Sequence, residues 1–311
     1  MKIGKIYPAA AVSLFFAAQA FSMSYLPGQW STAEKSGKWS TCTWGNNINN
    51  DSADMPGKPG PNDDVTIRGG WDFEIDQDIA VGGLHSNCAK LFHASKRNIR
   101  TKRGFGTQIP SSNSDPLTKL ENCTVQNGGN LNFSYWHEGR GGGRGELRLI
   151  DTKFETKGEI VCTIPVNPIV TIKERAGVIV TLVGKTQFLV NGGAVLDSIF
   201  EESPKDWMFK WNVEEKDGAV PLAFINKKAA FKNHLVEMKI DGNLKPGKYA
   251  LFEFADRKSG FSDAVFTLNG SDYKLGTATE VKGKKIKISL APSPTGKDAK
   301  TANDLVLEVM K

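Results

Sequence analysis

The chain has 311 residues, of which 24% are charged, and a formal net charge of +6 at pH 7. This length is enough for one large all-β domain or for two ordinary domains. Its 32 glycines exceed the usual share of about 7%, and helical periodicity is missing after the N-terminal apolar stretch, so composition argues against a mainly helical protein. The modest excess of positive charge favours anionic partners without requiring them.

The N-terminus has the pattern of a secretory signal peptide. Lys2 and Lys5 precede an apolar run at residues 6–17, and Ala18-Gln19-Ala20 supplies a small-x-small cleavage site. The sequence therefore predicts a signal peptide at residues 1–20 and a secreted protein, extracellular or at the cell surface, with the periplasm as the alternative. Loss of Lys2 and Lys5 lowers the net charge from +6 to +4. No later apolar run approaches the roughly 20 residues of a membrane-spanning helix, so no transmembrane anchor is expected after cleavage.

Residues 21–61 are predicted to form an N-terminal cap. Trp30, Trp39 and Trp44 are spaced along a polar segment, and the Pro/Gly-rich run at residues 55–61 breaks any regular element. The three indoles are expected to anchor this segment.

The four cysteines all lie in the first half of the mature chain. An oxidising compartment favours pairing them, and three connectivities are possible. The alternative is buried free thiols. Spacings of 46, 35 and 39 residues contain no close pair and disfavour a zinc site. The disulfide candidates are Cys42, Cys88, Cys123 and Cys162.

Residues 62–229 consist of short β-type runs that end at Gly, Asn or Asp. The segment at residues 124–133 is echoed 64 residues later at residues 188–196, with a Gly-Gly turn in each. A strand about every ten residues indicates a β-sandwich or stacked rungs. Residues 178–183 are apolar on both faces, which favours parallel rungs. The predicted inward-facing residues are Ile160, Val161, Val178, Val180, Leu189 and Val195.

The segment at residues 230–311 alternates apolar and polar residues in runs at 235–240, 248–254, 264–268, 285–290 and 305–309. Such alternation is typical of half-buried strands, and we expect an antiparallel C-terminal subdomain that covers the open end of the rungs. The fold class predicted is all-β: a right-handed parallel β-helix, or solenoid, with a Trp-rich N-terminal cap and antiparallel C-terminal strands. A β-sandwich is the alternative.

Both ends of the mature chain resemble a known family. Two parts of the chain are similar to secreted bacterial right-handed β-helix proteins of the autotransporter-passenger-like kind. They are the Trp-rich lead followed by Pro59-Gly60-Pro61-Asn62-Asp63-Asp64-Val65-Thr66-Ile67, and the closing strands at residues 247–252, 259–261 and 266–268. The resemblance implies a β-helix fold and an exported surface protein. We expect no C-terminal outer-membrane barrel, which would be a departure from true autotransporters.

One Gly-rich loop is the first candidate binding site. Tyr135 and Trp136 offer aromatic faces for sugar stacking, while Arg140 and Arg144 carry planar donors suited to carboxylate or sulfate. The alternative is a loop that merely protrudes from a rung. The segment lacks the Lys-Ser/Thr ending of a phosphate-binding loop.

A basic run between residues 90 and 103 is the second candidate. It contains six cations and no acidic residue, and Lys96, Arg97 and Arg100 are its predicted ligand-binding residues. On a β-helix this run would join the Arg140 loop in one basic face for an anionic polymer. The alternative is a solvated edge whose charges guard against aggregation.

No metal or cofactor is predicted. His85, His93, His137 and His234 are scattered without ligand spacing. The aspartates at positions 63, 64, 76 and 78 match no calcium loop and are explained by turn chemistry.

The predicted function is that of a secreted, non-catalytic surface or extracellular structural or adhesion protein that binds anionic polysaccharide or another cell-surface component, and not nucleic acid. The alternative is a β-helix lyase or hydrolase acting on acidic glycans, which rests on analogy of fold alone. The sequence favours the non-enzyme because no local motif assembles a carboxylate cluster with an Arg or Lys base. A groove with clustered acids facing a free base would favour the enzyme.

Overall fold

The structure is a computed structural model that describes residues 24–27, 36–42, 44–46, 53–54, 57–68, 70–87, 89–109, 115–135, 144–163, 177–196, 209–232, 234–294 and 303–311. The regular elements in these segments are all β-strands. None of these segments contains a helix of the length and apolar character needed to cross a bilayer. The predicted signal peptide lies outside the described residues.

The described residues form 29 strands. In chain order these are β1 (Ser24–Pro27), β2 (Ser36–Lys38), β3 (Trp44–Asn46), β4 (Ala53–Asp54), β5 (Asp64–Arg68), β6 (Asp72–Ile75), β7 (Ile79–Asn87), β8 (Leu91–Ser95), β9 (Asn98–Ile109), β10 (Leu117–Glu121), β11 (Thr124–Asn127), β12 (Asn130–Tyr135), β13 (Arg144–Ile150), β14 (Lys153–Thr156), β15 (Ile160–Thr163), β16 (Gly177–Val183), β17 (Gln187–Val190), β18 (Ala194–Leu196), β19 (Phe209–Glu214), β20 (Leu222–Ile225), β21 (Ala230–Lys232), β22 (Leu235–Lys239), β23 (Gly247–Phe254), β24 (Gly260–Ser262), β25 (Val265–Leu268), β26 (Ser271–Asp272), β27 (Ala278–Val281), β28 (Lys284–Ala291) and β29 (Asp304–Val309).

Most of these strands pair in parallel with a strand about 30 residues away in sequence. The first ladder consists of β2, β6, β8, β10, β13, β16, β19, β22 and β25, each paired in parallel with the next. One buried row runs through its register from Phe73 to Phe266, by way of Phe92, Thr118, Leu147, Val180, Trp211 and Val236.

Two further parallel ladders accompany the first. The second ladder contains the N-terminal parts of β7 and β9, then β11, β14, β17, β20 and β23. The third ladder contains β5, the C-terminal parts of β7 and β9, then β12, β15 and β18. The chain visits the ladders in a constant order: β10, β11 and β12 are followed by β13, β14 and β15. Each return therefore adds a parallel strand beside the previous one.

The core lies between the ladders and is rich in aromatic rings. Phe154 packs between Phe105 and Phe188 with ring centroids 5.6 Å from each, and Phe188 lies 6.1 Å from Trp211. These rings are all buried. Aromatic side chains of this size contribute much of the burial energy of a core.

The inward-facing residues predicted from the sequence are partly confirmed. Ile160, Val178 and Val180 are fully buried. The prediction is wrong for Val161 and Leu189, which are partly exposed, because their neighbours along the strand take the inward positions and side chains alternate in direction. The side chain of Val195 lies outside the described residues.

Glycines recur where the chain turns from the second to the third ladder, a turn that we call the second corner (residues 102–103, 128–129, 157–159, 191–193 and 226–228). A Cβ on Gly129 would lie 1.6 Å from the carbonyl oxygen of Arg103 in the preceding turn. A Cβ on Gly192 would lie 2.4 Å from the carbonyl oxygen of Gly158. Stacked turns at this distance have no room for a side chain, which explains the Gly-Gly repeats of the sequence.

The Trp-rich segment anchors the N-terminal end of the core. Trp39 and Trp44 are buried, with ring centroids 4.7 Å apart, and both pack against Phe73 of β6. The predicted role of these two indoles as anchors is confirmed, whereas Trp30 lies outside the described residues.

The predicted strand direction is wrong for part of residues 230–311. β22 and β25 continue the first ladder in parallel, and β23 is parallel to β20 on one edge and antiparallel to β29 on the other. Only β26 to β29 add purely antiparallel pairs. Alternating polarity reports a half-buried strand whatever the direction of its neighbour, so the pattern could not decide between the two.

The structure has no disulfide bond among its described residues. Cys88 lies outside them. Cys42 follows β2, Cys123 lies in the turn before β11, and Cys162 lies in β15. Cys123 directly precedes β11, as Thr152 precedes β14. Its Sγ donates a hydrogen bond to the carbonyl oxygen two residues earlier (3.3 Å), as the Thr152 hydroxyl does (2.9 Å). Burial raises the pKa of the Cys123 thiol. This cysteine therefore serves as a turn residue, and the predicted disulfide is absent from the described chain.

Candidate functional site

The flanks of the predicted Gly-rich loop lie between the third and the first ladder. Tyr135 ends β12 and Arg144 begins β13, where its backbone N–H donates to Asp115 Oδ1 at 3.0 Å. Trp136 and Arg140 lie outside the described residues. The proposed aromatic and arginine contacts of this loop therefore stay a prediction.

The predicted residues of the basic run divide between a turn and a strand. Lys96 and Arg97 lie in the turn from the first to the second ladder, which we call the first corner (residues 96–97, 122–123, 151–152 and 184–186). Lys96 has a left-handed backbone, with φ 55°, and its N–H donates to the carbonyl of Glu121 at 2.9 Å. Arg100 lies on the outer face of β9, in the second ladder. Of the predicted ligand-binding residues, Arg100 lies in the pocket described next.

A pocket of about 440 Å³ opens on the outer face of the second ladder, beside the second corner. Its lining comes from three successive strands, β9, β11 and β14, and from the turn residues that follow them. The lining residues are Arg100, Thr101, Lys102, Gln126, Asn127, Gly128, Glu155 and Lys157. We call this feature the basic pocket.

The ladder register explains why these residues meet. Arg100, Gln126 and Glu155 face outward at equivalent positions of the three strands. Lys102 and Lys157 hold equivalent positions two strands apart, with Gly128 between them. Since Gly128 has no side chain, the space between the two lysines stays open.

The floor of the basic pocket is held by a buried hydrogen-bond network. The Thr101 hydroxyl donates to Asn127 Oδ1 at 2.6 Å, and Asn127 Nδ2 donates to Thr156 Oγ1 at 2.9 Å and to the carbonyl of Asn130 at 2.9 Å. The three side chains are buried. Satisfied buried networks rigidify the backbone that carries them, so the outward residues of the same strands have fixed positions.

The basic pocket combines an anion-binding lining with one acceptor. Arg100, Lys102 and Lys157 are exposed cations, and Lys102 Nζ donates to Asn62 Oδ1 at 3.1 Å. Glu155 is the one carboxylate of the lining, so the formal excess is two positive charges. Its Oε1 accepts a hydrogen bond from Asn191 Nδ2 at 3.1 Å. A ligand that carries both an anionic group and hydroxyl donors matches this combination.

A second charged cluster covers the outer face of the first ladder. Arg148 bridges Glu146 at 3.8 Å and Glu214 at 3.2 Å, and Lys239 also contacts Glu214 at 3.0 Å. Lys210 and Glu237 form a further ion pair. Acidic and basic side chains thus lie together on one face. Each carboxylate forms an ion pair with a cation on its own strand or on another strand, and such pairs stabilise a sheet.

A third polar cluster lies on the third ladder. Arg103 Nη2 donates to Asp64 Oδ1 at 2.5 Å and to the carbonyl of Asn62 at 2.8 Å. The ring of His85 lies across Gly106, where a Cβ would approach Nδ1 to 2.7 Å. Burial lowers the pKa of His85 and outweighs the opposing effect of Asp64. This histidine is therefore neutral near pH 7.

The aspartates considered as calcium ligands act in local structure. Asp63 Oδ2 accepts from the Gly60 N–H at 2.7 Å, Asp76 Oδ1 from the Ser40 N–H at 2.8 Å, and Asp78 Oδ1 from the Asn98 N–H at 2.9 Å. Across the part of the chain that the structure describes, no group of three or more His, Cys, Asp or Glu side chains has an arrangement that would hold a metal ion.

Comparisons with protein-family models, curated proteins and solved structures gave no match to this chain. The resemblance to autotransporter-passenger-like β-helices therefore stays a prediction.

Sequence reasoning missed most of the basic pocket. Lys102 belonged to the basic run, but Gln126, Glu155 and Lys157 carried no local motif. The signal that would have found them is the repeat of the second corner. When its turns are aligned so that residues 102, 128 and 157 match, Lys102 and Lys157 occupy the same position, with Gly128 between them.

Proposed function

We propose that this protein is an exported, non-catalytic parallel β-solenoid that binds anionic polysaccharide at the cell surface or in the extracellular matrix, through the basic pocket. The observation that carries the proposal is the meeting of Arg100, Lys102 and Lys157 over an open, rigid floor. Exposed cations that are held at fixed positions on neighbouring strands attract a polyanion through their combined electrostatic field.

The solenoid itself is supported by the constant order in which the chain visits the three ladders. A crossover between parallel strands of one sheet is right-handed in about 98% of cases, which supports a right-handed coil. A rigid coil suits a structural or adhesive protein because it presents equivalent outer positions at regular intervals. Export rests on the residue pattern of positions 1–20 alone.

The alternative of a polysaccharide lyase or hydrolase is less well supported. A lyase needs a basic side chain that is available to remove a proton beside a carboxylate. The clustered charges of the first ladder, Arg148, Glu146 and Glu214, are instead bound to one another.

The test measures retention of the purified mature chain on immobilised acidic polysaccharide, with neutral dextran as the reference matrix. We expect the parent protein to be retained and to elute with salt, because exposed ion pairs are screened over about 10 Å at 0.1 M salt. The triple variant Arg100→Gln, Lys102→Gln, Lys157→Gln is expected to lose most of this retention, since each exposed pair contributes up to about 1 kcal/mol.

A matched control removes the same charge elsewhere. Lys258, Lys274 and Lys285 are exposed and lie outside the basic pocket, so their replacement by Gln should leave retention near that of the parent. Equal loss in both triple variants would mean that net charge alone drives binding. Release of unsaturated sugar, read by ultraviolet absorbance, would support the lyase instead.

A further inference from the structure

We propose that Phe224, beside the basic pocket, stacks against a sugar ring of the bound polysaccharide, so that the binding site has an apolar part as well as a basic part. This inference rests on the proposed function and deepens it, because it names the feature by which the site distinguishes an anionic polysaccharide from other polyanions. The position of Phe224 in the fold and its register with the basic pocket support it.

Phe224 lies on the outer face of the second ladder and not in the core. Leu189 on β17 and Leu222 and Phe224 on β20 occupy the outward positions of their strands and are partly exposed. Among the aromatic side chains that the structure describes, Phe224 is the one that neither belongs to the core nor packs against it. Burial in the core therefore does not explain an aromatic ring at this position.

The apolar patch formed by Leu189, Leu222 and Phe224 adjoins the basic pocket. Glu155 of the pocket is the direct parallel neighbour of Leu189, and Leu189 is the direct parallel neighbour of Phe224. Neighbouring strands lie about 4.8 Å apart, so Phe224 leaves the backbone about 10 Å from Glu155. A short oligosaccharide that is held in the basic pocket therefore reaches the apolar patch along the same face.

The surroundings of Phe224 suit a sugar ring. A pyranose ring presents C–H groups on its faces and hydroxyl groups around its edge, and the negative face of an aromatic ring attracts the positively polarised C–H groups. Gln187 is paired with Leu222, and Asn226 lies two residues after Phe224; both amide side chains are exposed. They can form hydrogen bonds with the hydroxyl groups at the edge of the sugar. Apolar patches with a polar rim of this kind mark ligand-binding surfaces.

The basic and apolar parts of the site recognise different properties of a ligand. Arg100, Lys102 and Lys157 attract a polyanion of any chemistry, because Coulombic attraction does not depend on the scaffold that carries the charges. Contact with Phe224 needs a carbon ring, and its favourable free energy comes from the removal of apolar surface from water. A polyanion without rings therefore uses the basic pocket alone.

The experiment compares hyaluronan, whose charges are carried on sugar rings, with inorganic polyphosphate, which has charges but no rings. Calorimetry in about 0.1 M sodium chloride, where the screening length is ~10 Å, measures both affinities. We expect Phe224→Ala to bind hyaluronan at least about fivefold more weakly than the parent, which corresponds to about 1 kcal/mol, and to bind polyphosphate as the parent does. Phe224→Trp keeps an aromatic face and should retain the affinity of the parent for hyaluronan.

Two further variants serve as controls. Val265 is 51% exposed on β25, at the end of the first ladder, and lies outside the basic pocket, so Val265→Ala should leave both affinities unchanged. The triple variant Arg100→Gln, Lys102→Gln, Lys157→Gln should weaken the binding of both polymers. Thermal melts establish that each variant keeps the fold, and Phe224→Ala should melt near the parent because Phe224 lies outside the core.

The outcomes separate this inference from the proposed function. If Phe224→Ala weakens the binding of both polymers equally, or of neither, sugar stacking is rejected while the binding of polyanions stands. Binding of polyphosphate alone by the parent rejects it as well. Sedimentation of the parent as a dimer that Phe224→Ala converts to a monomer also rejects it, because the apolar patch would then be an interface between two copies of the chain. If the parent binds neither polymer, the proposed function fails and the inference fails with it.

Discussion

At the scale of single residues, left-handed turn positions define the first corner. Asn122, Asp151 and Gly184 have φ of 52°, 48° and 63°, and Lys96 has 55°. Each donates its N–H to the last residue of the next strand in the first ladder. Asn, Asp and Gly tolerate this backbone well, so these residues mark the corner in the sequence. Lys96 is the exception, and its position explains why a predicted ligand-binding residue acts in a turn.

Buried polar residues form a second group at this scale. Thr152 and Thr186 each donate their hydroxyl to backbone carbonyls beneath the first corner, at 2.7 to 3.1 Å. Two of the accepting carbonyls, those of Ile150 and Val183, also accept the backbone N–H of Asn122 and of Asp151, so the hydroxyls add a second hydrogen bond to the corner. Threonine at these positions is thus explained by hydrogen bonding and not by strand propensity.

His234 supplies a prediction on pH dependence. Its ring is buried between Phe209 and Phe231, with centroids 5.2 and 5.1 Å away, and Nδ1 has no hydrogen-bond partner in the described structure. Burial lowers the pKa of His234 to about 3. The unfolded chain takes up this proton near pH 6.5 and the folded chain does not, so stability is complete above pH 6.5 and falls progressively toward pH 3.

We expect acidification from pH 7 to pH 4.5 to cost the parent about 2–3 kcal/mol more than it costs His234→Phe, since one pKa unit corresponds to about 1.4 kcal/mol. Urea unfolding at the two pH values measures this difference. An equal loss in both proteins would show that His234 titrates freely in the fold.

At the scale of elements, the second corner is the feature most sensitive to substitution. The Cβ position of Gly129 lies 1.6 Å from the Arg103 carbonyl oxygen and 2.4 Å from its carbon. Backbone atoms of a paired neighbouring turn cannot move aside as a flexible side chain does. A residue with any side chain would therefore push two turns apart and break the hydrogen bonds between them.

Gly129→Ala is expected to lower the free energy of unfolding by about 3 kcal/mol or more. Gly60→Ala is the matched control, because a Cβ there meets only Asp63 Oδ2 at 3.4 Å, an ordinary contact. Chemical denaturation of both variants measures the two effects. Similar stability of the two variants would show that the turns of the second corner lie further apart in solution than they do in the structure.

At the scale of the whole molecule, one core runs through all three ladders. The first ladder keeps a one-to-one register from β2 to β25, and its inward residues contact those of the other ladders through the aromatic chain. The inward face of each parallel strand is covered by the other ladders, so burial in this shared core stabilises the strands. A defect in one strand of the first ladder therefore affects the shared core.

Val180→Asp tests this expectation. Val180 is fully buried between Leu147 and Trp211 in the first ladder. An unpaired buried carboxylate costs several kcal/mol against a total stability of roughly 5–15 kcal/mol, so we expect the variant to unfold. Its neighbour Ile179 faces outward and is partly exposed, and Ile179→Asp should melt near the parent. Circular dichroism melts compare the two, and native-like melting of Val180→Asp would refute the assigned register.

Several features were determined by the sequence itself. Glycine turns and β-branched runs predicted an all-β fold, and residues apolar on both faces, such as Val178 to Val183, predicted strands buried more than an antiparallel edge would be. The buried indoles of Trp39 and Trp44 were also foreseen. These properties depend on local turn chemistry and on hydrophobic periodicity. Both act over a few residues, so they can be recognised in the sequence without knowing which strand lies alongside.

Other features were decided only by the tertiary structure. The direction of β22 and β25 depends on which strand lies alongside each of them. The structure also decided that the Cys123 thiol has no disulfide partner among the described residues and that Leu189 faces outward. The basic pocket likewise joins Arg100, Gln126 and Glu155 across separations of 26 and 29 residues. Register between parallel strands is set by the stacking of whole turns, in which backbone approaches backbone, and no short segment of the sequence contains both members of such a contact.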